Sequence, residues 1–157
     1  MKQQTWELSI MFFYGTLAIY QAGIAYPFND WNSIHGSQGF SWRPGSVSFL
    51  AVDADDPTPV FVEIREAYTP SAEAFRVIKV PFEVDSRGVA LSDLIEDWEI
   101  PIPPGQYALF FAIEPDKKSW KCFVIFVPTK EAPRAEIIRA DETLSPPQEL
   151  FMEAEPA

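Results

Sequence analysis

One cysteine and one histidine in 157 residues are too few for a zinc site built on those side chains, and no internal disulfide is possible. Cys122 sits in the apolar run Cys122-Phe123-Val124-Ile125-Phe126-Val127 and reads as a buried small hydrophobe rather than a reactive thiol. Nucleotide-binding and hydrolase motifs are missing as well: there is no G-x-G-x-x-G, Walker A, G-x-S-x-G or H-E-x-x-H. His35 has no recognisable nucleophile or orienting acid beside it, so the sequence points to no enzyme and no cofactor. Glycine is sparse, at 7 against 15 prolines, which excludes collagen-like and Gly/Ser-linker architectures. No repeat with a period of 20 to 50 residues is present, which removes solenoids and propellers.

Positive charge is also scarce. Twelve Lys and Arg against 23 Asp and Glu give −11, so phosphate backbones are repelled and direct nucleic-acid binding is not expected. The cations are scattered apart from one lysine cluster at Lys117, Lys118 and Lys121. A cationic partner suits the sign better. Residues 8–20 are apolar after a weakly basic start at Lys2, somewhat like a secretory leader. Glu7 interrupts that start, Gly15 splits the run and no small-x-small site follows, so neither a cleaved leader nor a membrane span of about 20 apolar residues is expected. The expected location is the cytoplasm, or a membrane or surface reached through a partner.

What the chain has is apolar and aromatic material, 47% and 15% of residues, in a length suited to one domain with one core. Period-2 alternation bounded by Pro, Gly, Asp and Asn predicts strands at 6–13, 16–21, 46–52, 60–66, 75–84, 106–113, 122–127 and 135–139. The spacing predicts an antiparallel two-sheet β-sandwich of seven to nine strands. One short connecting helix is expected at 92–98, with Ser92 as its cap and Pro101, Pro103 and Pro104 preventing its continuation. The domain is expected to occupy 1–140. Residues 141–157, with five acids, three prolines and no cation, read as a frayed tail.

Two regions carry candidate binding residues. The long segment 22–45 is too aromatic for disorder and contains Asp30, Trp31, His35, Phe40, Trp42 and Arg43. Its aromatics either plug an open end of the fold or form an anchor for a protein or a sugar ring. Asp53, Asp55 and Asp56 make an acidic turn, which reads as a solvated turn, a contact for a cationic partner or a calcium loop lacking the EF-hand glycine and final glutamate. Glu96, Asp97 and Glu99 are a second acidic group. The alternative to a protein-binding role is a ligand-binding β-sandwich, most plausibly for carbohydrate, with Trp31 and Trp42 as its platform.

Several segments in order add a further clue: Glu7-Leu8-Ser9-Ile10, Asp30-Trp31, Gly45-Ser46-Val47-Ser48-Phe49, Val80-Pro81-Phe82-Glu83-Val84 followed by Gly88, and Pro104-Gly105-Gln106-Tyr107-Ala108-Leu109 ending at Glu114-Pro115. From Trp6 to about Val127 this pattern resembles the bacterial competence protein J family of nuclease inhibitors. The resemblance implies a non-enzymatic protein that binds a metal-dependent, non-specific DNA/RNA nuclease and protects the producing cell. The nuclease groove is cationic because it holds phosphates, so an acidic inhibitor gains association rate and selectivity there. The inhibitory face is expected on 30–43 together with the Asp53-Asp55-Asp56 turn, provided the long segment folds back along its sheet.

Overall fold

The computed structural model describes residues 3–117 and 119–157; Lys2 and Lys118, named above, lie outside them. Two sheets hold nearly half of the residues. The larger has the strand order β1 (Gln4–Ile10), β5 (Thr58–Ile64), β10 (Ser119–Pro128), β9 (Gly105–Asp116), β6 (Arg76–Val84), β11 (Glu136–Arg139). The smaller runs β3 (Phe40–Arg43), β4 (Ser46–Leu50), β2 (Thr16–Gln21), β7 (Val89–Ser92), β8 (Asp97–Ile100). Neighbours are antiparallel except β5 and β10, which run parallel with Cys122 opposite Val60.

Alternation sets the inward faces. In β5, Thr58, Val60, Val62 and Ile64 are buried while Pro59, Phe61 and Glu63 face outward. Phe61 is not left bare, because it stacks on Phe123 of the parallel neighbour at 5.2 Å. Side chains of both sheets meet in one core, where Phe49 of β4 stacks on Phe111 of β9 with centroids 4.7 Å apart. Burial of rings this size contributes roughly 1.5–3 kcal/mol each. Cys122 lies in the same core, fully buried, and burial pushes its thiol up to about 12, with the Arg76 charge opposing. It is inert as a nucleophile.

Three expectations need correction. Eleven strands are present among the described residues rather than seven to nine, because β3, β7 and β8 were not anticipated. The helix expected at 92–98 is instead the turn between β7 and β8. Ser92 and Asp93 do cap backbone groups there, but those of a tight turn: Ser92 Oγ accepts from Leu94 N–H and donates to Glu96 O, and Asp93 Oδ1 accepts from Ile95 and Glu96 N–H. Such side chains satisfy turns as readily as helix ends. The helix that does form, α1 (Ser33–Gln38), lies inside the long segment 22–45, for which no helix is expected.

The stretch 141–157, expected from its composition to fray, lies against the body. Leu144 is buried, Leu150 and Met152 pack on the core, and Asp141 forms an ion pair with buried Arg76 at 3.0 Å. No helix among the described residues is long and apolar enough to cross a membrane.

Candidate functional site

The segment 22–39 does fold back along its sheet. Pro27 O accepts from Ser46 Oγ, Asp30 O accepts from Ser41 Oγ at 2.7 Å, and Gly39 O accepts from Leu50 N–H at 2.9 Å, so the segment tracks the β3 and β4 strands from one end to the other. Asn29, 4% exposed, donates from Nδ2 to Ser41 O and Ser46 O and accepts from Arg43 Nε at 2.7 Å. Arg43 also donates to Tyr26 O, and its guanidinium is lowered by burial, with Glu155 opposing.

The helix inside this segment is closed by an unusual cap. Asn32 Oδ1 accepts from Ile34 and His35 N–H, and His35 Nδ1 accepts from Asn32 N–H at 3.1 Å, taking the place usually held by Glu or Gln. The other ring nitrogen therefore carries the proton and donates to Glu153 O at 3.1 Å. Gly39 ends the helix at φ 85°, and a β-carbon there would press on Leu144 and Ile78 at 3.0–3.2 Å. Gln38, fully buried, donates to Phe40 O and Phe151 O and accepts from Phe151 N–H at 2.8 Å. Asp30 exchanges two bonds with the Glu155 backbone.

Most of the residues singled out in 30–43 are thus spent on structure. Phe40 and His35 are fully buried and cannot touch a partner in this conformation. Trp42 packs on the core and its indole N–H donates to Pro81 O at 2.8 Å on the other sheet. Trp31 is half-buried with its ring edge-on to His35. The two tryptophans therefore do not form the shared platform a sugar ring would need.

The acidic turn behaves differently. Asp53, Asp55 and Asp56 are exposed, and among the described residues none of the ion pairs involves them. They do not converge as calcium ligands either, since no group of three His, Cys, Asp or Glu side chains among the described residues is placed to hold a metal. Register brings this turn beside two others. Thr16 pairs with Leu50, Ala51 N–H donates to Gly15 O at 2.8 Å, and Ala18 pairs with Ser92, so turns 51–57, 11–15 and 93–96 stand side by side on one rim of the smaller sheet. Glu96 and Asp97 are exposed there, while Glu99 lies farther along β8, opposite Ala90. Burial and the charges of Asp97 and Glu99 raise the Tyr20 phenol. Phe13, Tyr14, Leu94 and Ile95 are the rim residues that reading the sequence missed, because an apolar residue in a turn carries no periodic signal.

Comparison with known proteins agrees with the chain-order pattern. The family described as competence protein J (ComJ) matches residues 9–137. Among solved structures, the chain is similar to ComJ of Bacillus subtilis, described as an inhibitor of the DNA-degrading activity of NucA, at TM-score 0.72 and 17% identity, covering 82% of this chain and 100% of that one. It is also similar to the protein described as crocagin biosynthetic gene J, at TM-score 0.58 and 12% identity, covering 83% and 100%. No curated protein matches.

Proposed function

Because the chain belongs to the competence protein J family, we propose that it is a non-enzymatic inhibitor that binds a metal-dependent, non-specific nuclease and blocks degradation of nucleic acid. The observation that carries this reading is the family match across 9–137, joined to a fold shared with a protein described as a nuclease inhibitor. In this reading the two sheets stack as a sandwich, a rigid frame supported by the contact of Phe49 with Phe111.

Charge supports the same reading. A groove shaped to hold phosphates is lined by cations, and a protein of net charge −11 meets it with complementary sign, which raises the association rate and deters other acidic partners. Inhibition then takes place in the cytoplasm or wherever the nuclease is held.

The test is degradation of supercoiled plasmid by a nuclease encoded beside this chain's gene, with B. subtilis NucA as a second probe. Stoichiometric purified protein is expected to stop degradation by at least one of them. Undiminished degradation by both at a large excess rejects the reading.

A further inference from the structure

The rim of the smaller sheet carries more than acids. Four of the six exposed large hydrophobic residues among the described ones lie on it: Phe13 and Tyr14 at 65% exposure each, Leu94 at 41% and Ile95 at 58%. Solvent-facing apolar groups gathered in one place mark interaction surfaces, whereas scattered ones need no explanation. Here they occupy adjacent turns, 11–15 and 93–96, because Ala18 of β2 pairs with Ser92 of β7 and the antiparallel chain enters β2 at the end where it leaves β7.

The 93–96 turn is held rigid. Its tip is fastened by the four bonds from Ser92 and Asp93, and by Asp93 N–H donating to Glu96 O. Within it Leu94 adopts φ 80°, a conformation costly for a branched side chain. The neighbouring 11–15 turn is anchored by Ile10 and Phe12, which are buried in the core. A surface fixed before binding loses little conformational freedom on contact.

The sign of the surrounding charge selects the occupant. Asp53, Asp55 and Asp56 flank the apolar residues on one side, and Glu96 and Asp97 flank them on the other. None of the three turns contains a lysine or arginine. The lysines that register brings to this end, Lys117 and Lys121, belong to the other sheet. An apolar centre with a carboxylate border is the complement of a protein surface with an apolar floor and cationic walls.

We propose that the rim formed by turns 11–15, 51–57 and 93–96 is the docking surface for the cationic, phosphate-holding groove of the nuclease, with Phe13, Tyr14, Leu94 and Ile95 as its centre. This deepens the reading given above and rests on it. The apolar side chains hold the complex together, and the carboxylates stand where the groove accepts phosphates.

The plasmid assay is repeated with the double variant Phe13→Ala/Ile95→Ala, the single variant Tyr14→Ser, the triple variant Asp53→Asn/Asp55→Asn/Asp56→Asn, and Tyr26→Ala. Tyr26 is 75% exposed but lies beside Arg43, at the other end of the sheet. All these side chains are exposed, and thermal melts check that each variant stays folded. The double variant is expected to weaken inhibition at least tenfold and Tyr14→Ser by a smaller factor. The triple variant should slow association and flatten its salt dependence, and Tyr26→Ala should inhibit as the unaltered chain does. Unchanged inhibition by the double variant, or an equal loss in Tyr26→Ala, overturns the surface while leaving the inhibitor reading intact. If the unaltered chain inhibits neither nuclease, both fall. Sedimentation velocity adds the remaining outcome: self-association abolished by Phe13→Ala/Ile95→Ala makes a second copy the occupant and overturns the proposal.

Discussion

Along the β3 border, Asn29, His35, Gln38 and Ser41 are at most 4% exposed and bond to backbone groups of the strands, of Asp30 and of residues 151–153, whereas on the rim of turns 11–15, 51–57 and 93–96 most side chains reach solvent, Phe12 and Asp93 being buried. The border is built from residue types that look chemically capable and uses them to satisfy its own backbone. The rim is built from Phe, Tyr, Leu, Ile, Asp and Glu in short turns and leaves most of them unspent. A histidine or tryptophan in a long segment is thus weaker evidence for a contact surface than an apolar residue that a tight turn fails to bury.

The sharpest way to break this contrast is at Arg76, which joins the end of β4 to the chain's last segment. It is 4% exposed and donates to Leu50 O, to both carboxylate oxygens of Asp141 and to Thr143. Arg76→Met removes the cation and leaves these acceptors without their partner, and should lower stability by about 3 kcal/mol in urea titrations. A loss under about 1 kcal/mol would show that the segment contributes little to the fold. Gln38→Ala comes next, at about 2 kcal/mol, since Phe40 O and both backbone groups of Phe151 lose their partner. Hydrogen exchange should show the Phe151 amide losing protection in that variant while amides of β9 keep theirs.

A smaller effect is expected in acid. Burial pushes the Asp141 carboxyl up, but the hydrogen bonds and charge of Arg76, together with Thr143, outweigh it and hold the group below its ordinary value. A depressed folded value means that the unfolded chain takes up the proton first. The contribution is therefore complete above the ordinary carboxylate value and is lost as pH falls through the lower folded one. Asp141→Asn should flatten the stability profile below about pH 4 relative to the unaltered chain. Parallel profiles would remove the carboxylate from the account.

The smallest effects belong to the rim. Phe13→Ala and Ile95→Ala should each change stability by no more than about 0.5 kcal/mol, because the side chains are exposed. A melting temperature lowered as far as in Gln38→Ala would show that the rim, too, is structural.

Alternation made the longer strands legible. Three of the four four-residue strands escaped it: FSWR, VALS and DWEI are too short to count a period, and β7 is buried at every position, so no exposed residue marks an outer face, whereas EIIR of β11 lies within the strand expected at 135–139. The apolar run continuing from Ile10 through Tyr14 carried the first expected strand past its end, although Phe13 and Tyr14 lie in the turn that follows β1. Helix α1 spans six residues, SIHGSQ, with no apolar periodicity, and its histidine cap is not a pattern that sequence reading looks for. At the site, the Asp53-Asp55-Asp56 turn was legible as a solvent-facing acidic group. Its neighbours were not, because the adjacency of turns 11–15 and 93–96 exists only through strand pairing between residues some 75 positions apart, as between Ala18 and Ser92.

The bonds from Gln38 to Phe151 and from His35 to Glu153 join positions 113 and 118 residues apart. A ribosome working at about 5–20 residues per second needs roughly 6–24 seconds to make that intervening chain. Through that interval helix α1 has its own cap but none of the backbone partners that enclose it, and Gln38 has nothing on its outer side to bond. The border therefore locks last, after the ladders of the larger sheet can already have closed. A nascent chain stalled before residue 151 should expose the 22–39 segment to protease even where its core strands resist.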